Sequence, residues 1–272
     1  MRPFTLCYFS AHSLETPSLS AGVKEYEKQG GKIRVIAKTR SQLFDEAQIK
    51  AFVRDALASD VVILTLHGGR ESCPAFEPLI SALEGQKEEG RKMPYLHVHP
   101  QGSDEDGLLA AQEYDDGFGT DRWDTLNRYL VHGGRINFHN LLIYLHNLLF
   151  KEEIPLEPPQ SLPQEGIYHP DIPGIPEIKD YLKQKVDQKK ITVGLWFYQS
   201  YWLNDNLAYI DAIIREIEHQ GANVICVFHL RYKDAERGNR GADYVAEEFF
   251  MKDGEPIIDV LINPMMFSLT LS

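Results

Sequence analysis

The run Val61-Val62-Ile63-Leu64-Thr65-Leu66, closed by His67-Gly68-Gly69, constrains the fold more than any other segment. A continuous apolar run with no polar alternation suits a strand buried on both faces, as in a parallel sheet covered by helices on each side. Its surroundings repeat the same grammar. Residues 4–10 read as a strand, 20–31 as a helix closed by glycine, and 32–39 as a second strand. In residues 45–60, Ile49, Phe52, Val53 and Ala56 recur at helical spacing behind Asp45, a residue suited to a helix start. A helix over 75–86 and a strand over 93–101 follow. Strands separated by helix-length segments predict an α/β fold built on a doubly wound parallel sheet.

From about Asp121 the pattern turns helical. Residues 121–134 end in a glycine pair, and 136–150 form a helix in which Ile143, Leu145, Leu148, Leu149 and Phe150 leave little polar surface. That helix is expected to be buried between layers. Seven of the fifteen prolines lie between Pro155 and Pro176. Proline fixes φ and removes a donor, so this stretch is expected to be extended and to stay out of a regular ladder. A second βαβ unit occupies 192–198, 208–221 and 222–228, followed by a charged loop, a short helix over 242–250 and a strand over 256–264. The expected organisation is an amino-terminal α/β domain over 1–154, a Pro-rich connector over 155–176, and the start of a second α/β domain over 177–272. A parallel strand normally feeds a following helix, so the second region reads as incomplete.

The formal net charge is −12, which disfavours binding to nucleic acid or anionic membranes because phosphates are repelled. No apolar run is long enough to span a bilayer, and the first residues lack the apolar region of a signal peptide. The chain therefore reads as cytoplasmic, without a membrane span. Cys7, Cys73 and Cys226 match no zinc spacing and are expected to be reduced core thiols.

Ten histidines raise the question of metal binding. His97 and His99 flank Val98 on a predicted strand, so both rings leave one face near its carboxyl end. His67 ends the preceding strand before two glycines. If the strands are neighbours, His67, His97 and His99 can converge as metal ligands; the alternative is hydrogen-bonded rim histidines. His139 and His146 sit seven apart on the apolar helix and read as polar residues of a buried surface. His67-Gly68-Gly69-Arg70 and His132-Gly133-Gly134-Arg135 are turns that can receive a carboxylate or phosphate. Asp104-Glu105-Asp106 and Asp115-Asp116 read as solvated loops. There is no P-loop, Rossmann fingerprint or nucleophile elbow, hence no sign of a nucleotide site or hydrolase of the chain's own.

The aromatic turn Tyr198-Gln199-Ser200-Tyr201-Trp202 follows a predicted parallel strand, where ligands are met. Tyr198, Tyr201 and Trp202 can cover a flat ligand or plug an interface, and Tyr168 and His169 in Gly-Ile-Tyr-His-Pro-Asp invite the same division. The block from Gly166 to Phe228, with Tyr129–Leu149 and the closing Ile257–Leu269, resembles the large subunit of cobaltochelatase (CobN type) and its relative, the large subunit of magnesium chelatase. The resemblance implies an amino-terminal portion or truncated relative of a subunit that binds a corrin precursor or porphyrin for ATP-dependent insertion of cobalt or magnesium, inactive alone. Divalent cobalt or magnesium would be substrate, and separate AAA+ partner subunits would use the ATP. For such a ligand, the aromatic-turn and Gly-Ile-Tyr-His-Pro-Asp residues Tyr168, His169, Tyr198, Tyr201 and Trp202 are the tetrapyrrole-binding candidates. The alternatives are a stand-alone tetrapyrrole- or metal-binding module and a partner-interaction scaffold.

Overall fold

The strands form where apolar residues run without interruption, and the helices form where they recur every three or four residues. The computed structural model describes residues 1–101, 105–114, 120–230, 233–235 and 238–265. The chain divides into two compact units, Met1–Gln160 and Ser161–Ser272.

The first unit runs β1 (Phe4–Ser10), α1 (Thr16–Lys28), β2 (Ile33–Thr39), α2 (Glu46–Leu57), β3 (Val61–Leu66), α3 (Phe76–Glu88), β4 (Tyr95–Pro100), α4 (Glu105–Tyr114), α5 (Thr120–His132) and α6 (Gly134–Phe150). Its sheet has the order β2-β1-β3-β4 and is parallel throughout. Every residue of β3 is buried, as expected of a strand covered on both faces. Leu19 and Tyr26 of α1 pack with α5 and α6 on one face; α2, α3 and α4 pack on the other. Asp45 caps α2, accepting from Gln48 N at 2.8 Å, which satisfies an otherwise orphaned first-turn donor.

α6 is buried as its composition implies, and its asparagines have a specific task. Asn147 exchanges two hydrogen bonds with Ile154 at 2.9 and 3.0 Å. Asn140 Oδ1 accepts from Glu157 N at 2.8 Å, and Asn137 exchanges two bonds of 2.9 Å with Gln160. Side chains here satisfy an extended, proline-bearing backbone that has no strand beside it. Asp106 corrects the solvated-loop expectation: it lies in the first turn of α4 and accepts from Arg70 N at 2.7 Å. Asp104, Asp115 and Asp116 lie outside the described residues.

The second unit comprises β5 (Glu165–Ile167), α7 (Ile178–Lys185), β6 (Thr192–Tyr198), α8 (Gln199–Leu203), α9 (Ala208–His219), β7 (Asn223–His229), α10 (Ala242–Phe250), β8 (Met251–Lys252), β9 (Glu255–Pro256) and β10 (Val260–Ile262). The main sheet has the order β10-β6-β7-β5. β10, β6 and β7 are parallel, but β5 is antiparallel to β7, with Glu165 opposite His229 and Ile167 opposite Val227. The expectation that the proline stretch stays out of any ladder is thus corrected. The gap between Pro163 and Pro170 leaves enough free N–H groups for a three-residue edge strand, and edge positions are where such sequences are tolerated. The aromatic turn after β6 is the one-and-a-half-turn helix α8, and α7 lies in what reads as the start of the second domain. α7 and α10 cover one face of the sheet, α8 and α9 the other.

Candidate functional site

Ligands favour the carboxyl ends of parallel strands, and in the second unit β6 and β7 end there at Tyr198 and His229. These two are register partners, so both side chains leave the same face of the sheet. Trp196 lies on that face, its ring centroid 5.9 Å from that of His229. Glu165 stands opposite His229 on β5.

The hydrogen bonds fix the imidazole's state. Asn239 Nδ2 donates to the carbonyl of Leu230, so its Oδ1 is the acceptor, and Gly241 N donates to it at 2.8 Å. His229 Nε2 lies 3.2 Å from the same oxygen and therefore carries the proton. Nδ1 is left as a bare lone pair, buried and without a partner. Burial pushes the His229 pKa below its ordinary value, with the Asn239 bond and the Glu165 charge opposing, so the ring is neutral and basic at Nδ1. Glu165 Oε1 accepts from Arg240 Nε at 2.6 Å, while its buried Oε2 has no partner. Trp196 Nε1 is likewise buried and unpaired. Arg240 lies over the Tyr244 ring, 3.6 Å from guanidinium carbon to centroid. Two acceptors and one donor, all buried and unpaired, thus belong to residues on one face of the sheet at the carboxyl ends of β6 and β7.

The other sequence candidates of this unit are engaged. Tyr168 donates to Asp211 at 2.7 Å. Trp202 stacks face to face on Phe228, centroids 4.3 Å apart and planes 6° apart, and Tyr201 meets Tyr209 edge-on at 5.0 Å. His169, Asp171 and Glu218 form, among the described residues, the one set of His, Cys, Asp and Glu whose ligand atoms all lie within 4.8 Å of one another. Its chemistry is that of a clasp. Arg215 grips Asp171 through both guanidinium nitrogens, at 3.0 and 2.5 Å, and reaches Glu218 at 3.1 Å. Lys185 lies 3.0 Å from Asp171 and 3.7 Å from Glu218. These contacts hold the Asp171 carboxyl far below the usual carboxylate range. Two cations neutralise two carboxylates, and both His169 nitrogens are used: Nδ1 accepts from Asp171 N and Nε2 donates to Glu218, each at 3.1 Å.

In the first unit His97 and His99 share one face of β4, their ring planes 14° apart and centroids 6.5 Å apart. Both are buried; His99 Nδ1 lies 2.6 Å from Asn127 Oδ1, and His97 faces Trp123. His67 is exposed and pairs instead with His12, ring centroids 3.8 Å apart. The structure therefore brings His97 to His99 and His67 to His12, and the three do not form one ligand set. His12, Glu165, His229 and Arg240 escape sequence reasoning. For His12 and His229 the available signal is a histidine at the end of a predicted strand, the same signal that singles out His67.

The second unit, with the end of the first, carries a recognisable family pattern. The chain belongs to the CobN/magnesium chelatase family, whose pattern matches residues 127–272, more than half of its length. It is 35% identical over 147 residues to the uncharacterized protein MJ0908 of Methanocaldococcus jannaschii, covering 53% of this chain and 12% of that one. Over 110 residues it is 28% identical to the magnesium-chelatase H protein of Rhodobacter capsulatus, covering 39% of this chain and 9% of that one. The fold resembles the catalytic subunit of cobaltochelatase from Mycobacterium tuberculosis with a TM-score of 0.51 and 16% identity, over 86% of this chain and 17% of that one. The matched stretch is thus about a tenth of the curated relatives' length. Among the described residues no helix is long and apolar enough to cross a membrane.

Proposed function

We propose that this chain is a portion of a tetrapyrrole metal chelatase large subunit, and that the carboxyl edge of its second sheet meets the macrocycle. The observation that carries this reading is the bare, buried Nδ1 of His229, on a residue paired across the sheet with Glu165, whose Oε2 is also buried and unpaired. Metal insertion requires the pyrrole N–H protons to leave, and a neutral imidazole lone pair next to a carboxylate is an acceptor suited to that task. Trp196 Nε1–H supplies a donor for a ring substituent, and Tyr198 supplies an aromatic edge on the same face. Arg240, exposed and stacked on Tyr244, is the cover: swinging it aside uncovers Glu165. Metal insertion belongs to the whole subunit, with cobalt or magnesium as substrate and ATP hydrolysed by AAA+ partners.

Titration of the chain with metal-free porphyrin and with a metal-free corrin tests the reading. Saturable quenching of tryptophan emission with a shifted macrocycle absorbance, both lost in His229→Phe, is the expected result. Unchanged spectra with both macrocycles overturn it and leave an interaction scaffold. The size of the native protein in its source cell separates the two ligand-binding readings. A species several-fold larger than 31.1 kDa fits a portion of a subunit, and one near that mass fits a stand-alone module.

A further inference from the structure

The order β2-β1-β3-β4 places a topological switch point between β1 and β3, because the chain leaves β1 toward one edge and later returns to build the other. α1 and α2, which follow β1 and β2, lie on opposite faces. A crevice at such a point is the usual ligand position of an open α/β sheet. His12 follows β1 and His67 follows β3, so the two imidazoles stand at this switch point, both exposed.

We propose that His12 and His67 bind a divalent transition-metal ion there. The backbones carrying them are held: Ala11 N donates to Thr65 O at 3.1 Å and Ser13 N to Ser10 Oγ at 2.7 Å. His67 N donates to the buried Ser72 Oγ at 3.1 Å, which in turn donates to Gly69 O. The ring centroids are 3.8 Å apart. Two imidazoles on one tetrahedral ion at about 2 Å bond length need centroids roughly 5 Å apart. The rings must therefore open by about 1 Å, a change that two exposed side chains can make by rotation.

The crevice suits a cation. Glu15 adds a negative charge, with Oε1 lying 3.1 Å from Thr65 Oγ1 and 3.4 Å from the Tyr8 hydroxyl. The nearby cation Arg70 is turned away onto Asp106 and Glu113. Imidazole donors select zinc, cobalt, nickel or copper and reject magnesium, which demands oxygen.

The test is titration of the full chain with cobalt(II), zinc(II) and magnesium chloride, read by calorimetry and by cobalt d–d absorption. Cobalt and zinc are expected to bind at one site and magnesium not to bind. His12→Ala and His67→Ala should each weaken cobalt binding by roughly 10-fold or more, while His219→Ala, at a lone exposed histidine, leaves it unchanged. Absence of cobalt binding, equal binding of magnesium, or affinities unmoved by both substitutions would overturn the proposal. The site rests on the first sheet alone, so His229→Phe, which removes the proposed macrocycle contact, should leave the cobalt titration intact.

Discussion

Replacing His229 by phenylalanine isolates the consequence of a buried lone pair without a partner. Leaving a polar atom buried and unpaired costs about 1–3 kcal/mol, and a neutral hydrogen bond contributes about 1 kcal/mol net. His229→Phe removes the unpaired Nδ1 and gives up the 3.2 Å bond from Nε2 to Asn239 Oδ1. The Asn239 oxygen is not stranded, since Gly241 N still donates to it at 2.8 Å. The rings are close in size, so repacking costs under about 1 kcal/mol. The variant should therefore be as stable as the wild type or more stable, by up to about 2 kcal/mol, while losing macrocycle binding. Urea unfolding followed by tryptophan emission measures this, since Trp196 and Trp202 both lie in the second unit. The pH dependence sharpens the test. The folded pKa of His229 is lowered, so below an unfolded value of about 6.5 the unfolded chain binds the proton first. The contribution of the neutral imidazole is then present above that value and is lost as pH falls through the folded pKa. The variant has no such loss, so its advantage should grow between about pH 8 and pH 5. Destabilisation by more than about 1 kcal/mol at neutral pH, or an advantage that shrinks on acidification, would refute the assignment of an unpaired Nδ1.

Gly22 of α1 touches α6 so closely that an added Cβ would meet Phe138 Cβ at 2.8 Å and His139 N at 2.9 Å. Gly22→Ala should destabilise the first unit by about 1–3 kcal/mol, read as a lower thermal midpoint; an unchanged midpoint would mean that α1 and α6 are not packed this tightly. Burial pushes the Cys7 and Cys73 thiols up to about 12 and Cys226 well above its ordinary value. None of the three should react with a disulfide reagent near pH 8 until the chain is unfolded, because the thiolate is the nucleophile. Rapid native labelling would show that the core is open.

The parallel strands are legible in the sequence because full burial leaves an uninterrupted apolar run, as in Val61–Leu66. The doubly wound arrangement is legible because helix-length segments separate those runs. β5 is hidden because three residues carry no periodicity. Their pairing depends on Gly166, where a Cβ would meet Ile175 at 2.6 Å and Phe228 at 3.1 Å. The asparagines of α6 look like polar interruptions of a buried helix; their partners are backbone groups up to 23 residues away, which no local pattern announces. The Gly69-Arg70 turn reads as able to receive a carboxylate, and the carboxylate it receives is the chain's own Asp106. His67 reads together with His97 and His99 because adjacent parallel strands share register. Past the strand end the chain turns at Gly68 and Gly69, both at positive φ, and His67 meets His12 across the switch point instead.

The Gly-Ile-Tyr-His-Pro-Asp segment, which opens the block resembling the chelatase family, shows how a conspicuous motif can be occupied by structure. Tyr168, His169 and Asp171 each contact α9, through Asp211, Glu218 and Arg215. That arrangement anchors the chain leaving β5 and leaves neither imidazole nitrogen of His169 for a ligand. A metal entering there would have to displace two cations from two carboxylates, losing contacts already made. At the carboxyl edge His229 Nδ1, Glu165 Oε2 and Trp196 Nε1 hold no partner of their own, and the one contact to be moved is Arg240 on Glu165 Oε1. Each unpaired atom costs about 1–3 kcal/mol in a domain whose total stability is on the order of 5–15 kcal/mol. The clasp, fully paired, is explained by stability alone. The motif is thus an anchor, with its polar groups taken up by α9 and Lys185.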